Sequence, residues 1–401
     1  MRPARIEPMA VVAQGIACAT GLGLTALADA VRSGGSALRP NDFSRVDLPA
    51  WIGRIAAIES TTLPPALQAW DCRATRAAWL GLQADGFADA VQAAVRRHGA
   101  TRVGLVLGTS ASTIGVSEAA YAALADDGGF PSAVRQERLN TLHAVTAFVQ
   151  QALAIEGPCV TVSTACSSSA KAFAQAERWL RLGLCDAVVA GGVDALCNSV
   201  LFGFAALGLV SPAPCQPFGA ARQGISVGEA AAFALLQRGP GALQLLGHGE
   251  SNDAHHMSSP HPQGLGAERA LDDALARAGL QASDVDHLNL HGTGTLRNDE
   301  VEAALVARRY RADVHASGTK GLTGHTMGAA GALEALLCLL ALQQGLCSGT
   351  PHTEAADAAL GAEFAQQLPL RPAARHVRVA ASHSFGFGGN NAVLLFGHGA
   401  S

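Results

Sequence analysis

The chain has 401 residues, 49% of them apolar and only 15% charged, with 45 glycines, which excludes a disordered or coiled-coil chain and predicts a deeply buried globule large enough for two core-forming halves. A formal net charge of −4 provides no global attraction to nucleic acid or to an anionic membrane surface. Nine cysteines, an odd number with no C-x-x-C pair and no metal-ligand spacing, suit a reduced cytoplasmic protein rather than a disulfide scaffold.

In chain order, the basic N-terminus leads into an apolar run at 9–16. Pro8, Gln14 and the lack of a long leucine-rich core argue against a secretory signal, so a first strand is predicted there and a helix over 21–33. Residues 41–63 read as irregular with short strands, and 67–98 as two amphipathic helices broken near Gly86. Val103 to Leu107 is a buried strand that enters GTSAST, and 114–154 is mostly helical in pattern. Val160, Thr161 and Val162 then form a β-branched run toward Cys166 in VTVSTACSSSAK, with an alanine-rich helix following over 170–184. Strands are predicted at 186–191 and 230–236. Gly239-Pro240-Gly241 marks the boundary between units 1–238 and 239–401.

Beyond it come a strand at 242–249, a helix at 266–278 and a strand at 285–290 that ends in HGTGT. Val314 to Ser317 leads into SGTKGLTGH and a helix over 327–344, and Val377 to Ala381 into SHSFGFGGNN and a last strand. The longest uninterrupted apolar stretch, Ala335 to Leu342, is too short to span a bilayer. The order strand, small-residue loop, helix recurs in both units, which implies two α/β halves whose loops converge at one end.

A strand that meets a helix at a small-residue turn leaves Cys166 near the helix N-terminus, where free N–H groups and the macrodipole favour a thiolate. For a cysteine taken alone, inert burial is the commoner outcome. Two further loops bear on the choice. His291 follows an apolar strand and is trailed by Gly292, Thr293, Gly294 and Thr295; His325 sits among small residues in the equivalent loop of the next strand. Lys320, one of only two lysines, lies five residues before His325, and Glu334 interrupts the apolar helix after it, where a carboxylate needs a partner. In the last loop Gly386, Gly388 and Gly389 free the backbone to aim N–H groups at a ligand, and Phe385 and Phe387 are placed to line or gate a cavity. GFGG is not a dinucleotide fingerprint and no phosphate-binding P-loop occurs. His255, His256 and His261 in DAHHMSSPHP lack ligand spacing, so a substrate-side loop is expected there and no metal site is predicted.

Taken together, TACSSSA, HGTGT, GTKGLTGHTMGAAGALE and SFGFGGNN, in this order over nearly the whole chain, resemble the β-ketoacyl carrier-protein synthases, the condensing enzymes of fatty acid and polyketide synthesis. The resemblance implies a thiolase-like α/β fold with two pseudo-duplicated halves in a five-layered αβαβα arrangement. It implies Cys166 as the acyl-accepting nucleophile, His291 and His325 as the active-site histidines, and Lys320 and Glu334 as their support. The backbone N–H groups of Cys166 and Phe387 would form the oxyanion hole, Phe385 and Phe387 the gate, and Thr293 and Thr295 the contacts to a pantetheine arm. The implied reaction is decarboxylative condensation of malonyl carrier protein with an acyl chain on Cys166. It needs no cofactor, because the substrates ride on the phosphopantetheine arm of an acyl carrier protein.

The implied partners are that carrier protein and either a second copy of the chain or a chain-length-factor-like subunit. Carrier proteins are acidic, so Arg73 and Arg76 in DCRATRAAWLG are expected to help dock one. The sequence departs from the family pattern at Leu296-Arg297-Asn298, at Gln223 and at His383, which leaves fatty acid, polyketide and aryl polyene pathways open. Two other readings fit less well. A non-decarboxylative thiolase would carry a second cysteine near the C-terminus, and none follows Cys347. A non-catalytic chain-length-controlling subunit would typically lack the nucleophile.

Overall fold

The computed structural model describes residues 4–44, 47–124, 126, 128–130 and 137–399. Five strands of the first half are β1 (Met9–Cys18), β2 (Val103–Gly108), β3 (Cys159–Val162), β4 (Ala187–Asp194) and β5 (Ala230–Gln237). Five of the second are β6 (Leu243–Asn252), β7 (His287–Leu290), β8 (His315–Gly318), β9 (Val379–Gly386) and β10 (Asn390–His398). They run through one sheet in the order β8-β7-β9-β10-β6-β1-β5-β4-β2-β3. Read outward from the centre, each half repeats one order and one pattern of directions. Its first strand pairs antiparallel with its fifth, the fifth antiparallel with the fourth, and the fourth and third both parallel with the second. The duplication inferred from the order of motifs is therefore present strand for strand. The halves join where β1 and β6 pair at Met9 with Leu245 and Ala10 with Gln244.

Residue alternation along the strands builds the layers, since successive side chains leave opposite faces. On β5, Ala230, Ala232, Ala234 and Leu236 face a central core, while Ala231, Phe233 and Leu235 face an outer one. On β10, Ala392, Leu394 and Phe396 join the same central core, and Val393 and Leu395 face the outer core of the second half. Helices α1 (Arg73–Gln83), α2 (Phe87–His98) and α3 (Ala144–Ala152) cover the first outer face. Helix α4 (Ser168–Arg181) packs in the centre, α5 (Leu265–Ala278) and α6 (Leu296–Arg309) cover the second outer face, and α7 (Ala330–Gln344) lies beside α4. This is the five-layered αβαβα arrangement.

The two central helices meet through small residues. A Cβ at Gly331 of α7 would lie 2.7 Å from the Ala170 nitrogen of α4, so only glycine permits the approach. Residues 330–342 of α7 are all buried. Together with the short 3-10 turn before it, the segment Met327–Gln344 is long and apolar enough to cross a membrane, yet 89% of it is inside the core. Its aliphatic side chains stabilise the fold by burial at about 1.5–3 kcal/mol for each leucine.

Most predicted elements occur, with shifted ends. The break near Gly86 is a left-handed pair, Asp85 (φ 55°) and Gly86 (φ 68°), between α1 and α2. The predicted helical tract over 114–154 is two helices, Ile114–Ala122 and α3; residues 125, 127 and 131–136 of it lie outside the described residues. SHSFG is strand rather than loop, since β9 stays paired with β10 to Gly386. A helix at Asn198–Ala206 was not predicted from the sequence, because its surface carries no amphipathic stripe.

Candidate active site

β3 ends four residues short of Cys166, and the chain reverses through Ala165, whose φ of 54° is a left-handed value that an L-residue adopts only when its surroundings hold it there. The following serines do the holding. Ser168 Oγ accepts from the Thr164 N–H at 2.9 Å and donates to the Ala165 carbonyl at 2.5 Å, and Ser167 Oγ donates to the Thr164 carbonyl at 2.9 Å. Cys166 is thereby fixed just ahead of α4, 7% exposed, at the floor of a cavity of about 520 Å³.

The second half supplies what faces it. His325 Nε2 lies 3.0 Å from Cys166 Sγ, and the rings of His291 and His325 stand 5.5 Å apart at 87°. One donor atom each from Cys166, His291 and His325 falls within 4.8 Å of the other two. The backbone of His325 is anchored to the first half: its N–H donates to the Ser226 carbonyl at 2.7 Å and its carbonyl accepts from Gly228 N–H at 2.9 Å. Asp194, buried at the end of β4, ties the same region to GTSAST. It accepts from Thr109 Oγ1, Ser110 N–H, Ala111 N–H and Gly328 N–H at 2.7–2.8 Å.

Lys320 is buried and donates to Glu334 and to the His291 carbonyl, and its Nζ lies 3.5 Å from His291 Nδ1. An ammonium only donates, so His291 presents a lone pair at Nδ1 and carries its proton on Nε2. Burial, and after it the Lys320 charge, holds both histidines well below the usual imidazole range. Both are neutral. Burial likewise pushes the Cys166 thiol up to about 11, against the pull of Lys320 and of the Phe387 N–H at the sulfur. Burial therefore works against the thiolate that the helix terminus favours, with Lys320 and the Phe387 N–H working for it. Glu334 is raised by burial to about 7, offset in part by Lys320.

The HGTGT loop is held from beneath by two carboxylates that spacing did not single out. Glu302 of α6 accepts from His291 N–H and Gly292 N–H, both at 2.8 Å. Asp299, raised to about 7 by burial, accepts from Phe218 N–H at 2.7 Å and Gly294 N–H at 3.3 Å. Their signal was present in LRNDEVE, as acids on the first turns of a helix following the loop. His383 completes the support: its Nδ1 lies 3.2 Å from Glu302 and its Nε2 2.9 Å from the Tyr310 hydroxyl. With Glu302 as acceptor, Nδ1–H donates to it and Nε2 accepts from Tyr310.

The other expected residues are placed as follows. Phe385 packs between His383 and His291, at 5.1 and 6.0 Å, and Phe387 against Phe204 at 5.9 Å. Both line the cavity, as do Thr293 and Thr295, whose hydroxyls lie 2.8 Å apart. Phe204 was not anticipated, since it belongs to the helix missed in the sequence.

Arg73 requires a correction. It binds the buried Glu229 carboxylate through two nitrogens at 2.7 Å, contacts Glu59 at 2.5 Å and lies over the Phe43 ring. Glu229 in turn accepts from Ile55 and Leu196 N–H, so Arg73 is an internal strut. Arg76 is paired with Asp71 at 2.6 Å through two nitrogens. Neither offers the free charge a docking patch needs. At the cavity mouth Arg297 is the outward cation, its side chain 80% exposed and loosely paired with Glu300 at 3.5 Å.

Two duplicated α/β halves that bring a cysteine of one against two histidines of the other define a thiolase-fold condensing enzyme. Residues 7–242 match the family model "Beta-ketoacyl synthase, N-terminal domain" and residues 243–354 "Beta-ketoacyl synthase, C-terminal domain". The chain belongs to the β-ketoacyl synthase family, an acyltransferase class. It is 36% identical to Nodulation protein E of Rhizobium meliloti (strain 1021) over 309 residues, 74% of this chain and 76% of that one. It is 35% identical to 3-oxoacyl-[acyl-carrier-protein] synthase 2 of the same organism over 260 residues, 60% and 61% of the two chains. Among solved structures it is similar to a chain of the complex of the ketosynthase ApeO with its chain length factor ApeC from Xenorhabdus doucetiae, with TM-score 0.88, 33% identity and 98% of both chains covered. It is also similar to a chain of the ishigamide ketosynthase/chain length factor, with TM-score 0.86, 26% identity and 98% and 99% coverage.

Proposed function

We propose that this β-ketoacyl synthase is the catalytic ketosynthase of its assembly and performs decarboxylative condensation on acyl carrier protein substrates, with Cys166 as nucleophile. The observation that carries this reading is the convergence of Cys166, His291 and His325 on one point of the cavity. In the first step His325 Nε2 takes the thiol proton, the sulfur attacks the acyl thioester carbonyl, and the carrier thiolate leaves with a proton. The carbonyl oxygen is held by the N–H groups of Cys166 and Phe387.

Malonyl carrier protein then enters. Loss of CO₂ leaves an enolate whose oxygen accepts from the Nε2–H of His291 and, once His325 has exchanged its Nδ1 proton for one on Nε2, from the Nε2–H of His325, each donor worth about 3 kcal/mol by comparison with oxyanion-hole deletions. Neutral imidazoles suit this role, since the task is to donate to a developing oxyanion. The enolate carbon attacks the acyl-Cys166 carbonyl, the C–S bond breaks, and the thiolate recovers a proton. The sequence consumes one proton and releases CO₂ with no redox equivalent, so it balances without a cofactor. Lys320 and Glu334 fix His291 rather than react.

Similarity to a chain of the ApeO–ApeC complex supports a two-chain assembly with a chain-length-factor-like subunit. Nine free cysteines support a reducing, cytoplasmic setting. The test is incubation with acyl and malonyl carrier proteins, followed by intact mass. Acyl mass on wild type, none on Cys166→Ala, and chain extension only with Cys166 present are expected; extension by Cys166→Ala would overturn the assignment.

A further inference from the structure

At the opposite ends of the strands that carry His291 and lead to Lys320 lies a second group of soft ligands. His287 opens β7 and His315 opens β8, paired in register, and Cys347 sits in the short strand Leu346–Cys347 just after α7. His287 and His315 are each 2% exposed and Cys347 is fully buried. The two rings lie 5.4 Å apart, and one donor atom of each of the three residues falls within 4.8 Å of the other two. The condensation reaction uses none of them.

We infer that His287, His315 and Cys347 form a binding site for a soft d10 metal ion, Zn²⁺ or Cu⁺, that staples β7, β8 and the strand after α7. The hydrogen bonds around the three residues suit it. His315 donates Nε2–H to the Ser348 carbonyl at 2.7 Å, which leaves Nδ1 as the lone-pair nitrogen, the way metal-bound histidines are commonly oriented. His287 Nδ1 is buried without a hydrogen-bond partner among the described residues, a cost that a metal bond would remove. Burial lowers His287 to about 3 and His315 to about 4, so both rings are neutral ligands at physiological pH. Cys347 is raised by burial to about 11, so binding forms the metal–sulfur bond and releases the thiol proton to solvent.

Two charges face the group: Arg375 opposes a cation and favours the thiolate, and Asp286 acts in the opposite sense. Asp286 is committed to Arg378 and Val379 N–H groups and is not counted as a ligand. Contraction to the roughly 3.5 Å ligand spacing of a tetrahedral site, set by bonds of about 2.0 Å to nitrogen and 2.3 Å to sulfur, takes about 1 Å of side-chain movement.

The experiment must separate this group from Cys166, His291 and His325, which also offer one sulfur and two nitrogens. Full-length wild type, Cys347→Ala and Cys166→Ala are purified without chelator and assayed for metal content. Each is then stripped and titrated with Co²⁺ and Zn²⁺, and separately with Cu⁺ under reducing, anaerobic conditions. The expected result is one metal equivalent and a thiolate-to-cobalt charge-transfer band in wild type and Cys166→Ala. Both are lost in Cys347→Ala, whose far-ultraviolet circular dichroism confirms that it is folded. Elemental analysis of the protein as purified identifies zinc or copper. Substoichiometric uptake by all three proteins, or a band that survives Cys347→Ala and disappears with Cys166→Ala, would overturn the inference without touching the condensation reading.

Discussion

His325 Nε2 stands 3.0 Å from Cys166 Sγ, and the two residues come from different halves of the molecule. Both are uncharged at rest, because the same burial that raises the thiol lowers the imidazole. Proton transfer between them creates a thiolate and an imidazolium, a charge separation that burial opposes and that their 3.0 Å contact offsets in part.

This sets the pH response of the nucleophile. Lys320 lowers the Cys166 pKa and Glu334 raises it. Alkylation of Cys166, followed by peptide mapping, is expected to accelerate steadily as pH rises toward about 11. Lys320→Met, which removes the stabilising cation, should shift that curve to higher pH, and Glu334→Gln should shift it to lower pH.

The decarboxylation half-reaction should behave differently. His291 and His325 are held well below 6.5, so their donor form persists across the range where a free imidazole titrates. CO₂ release from malonyl carrier protein, measured on the acylated enzyme, is expected to stay level between about pH 6 and pH 8. A sigmoidal rise centred near the ordinary histidine value would contradict neutral donors.

Lys320 and Glu334 are a buried ion pair. Lys320→Met leaves a carboxylate without its cation and should cost about 3–5 kcal/mol in urea unfolding. The sign with pH follows from Glu334, which burial raises from its ordinary 4.5 to about 7 in the fold. Its protonated form favours the fold fully below the unfolded value, and that contribution is lost as pH rises through the folded one. The variant should therefore be weaker at pH 8 than at pH 5.5, and adding Glu334→Leu should restore stability without activity.

Arg73→Ala strands Glu229 in the core and is expected to cost about 3–5 kcal/mol. Arg76→Ala breaks only a surface pair, worth about 0–1 kcal/mol. Arg76→Glu should leave the salt dependence of acyl transfer from the carrier protein unchanged, whereas Arg297→Glu, at the cavity mouth, should weaken it.

Tyr310→Phe removes the donor to His383 Nε2 and leaves a buried nitrogen unpaired, at a cost of about 1–3 kcal/mol by thermal or urea unfolding. His383→Asn, which retains an amide donor for Glu302, should cost less than His383→Leu.

The sequence by itself marked the residues that the proposed chemistry uses. Cys166, His291, His325 and Lys320 each sit in a small-residue loop after a buried strand, and that local pattern is written in consecutive residues. It also determined the duplicated order of elements, because periodicity marks a strand or a helix without reference to its neighbours. The residues that hold those loops were not legible in this way: Glu302 and Asp299 look like ordinary first-turn acids, and Asp194 like a strand end. Only the packing of α6 under HGTGT and of β4 beside GTSAST turns them inward onto backbone N–H groups. Arg73 shows the same limit from the other side, since its helix pattern suggests an outward cation and only the tertiary fold brings the buried Glu229 to it. Charge and orientation belong to contacts between segments distant in sequence. For that reason only the tertiary structure shows the burial that raises the Cys166 thiol, and only it brings His287, His315 and Cys347 together at the far end of the strands that lead to His291 and Lys320.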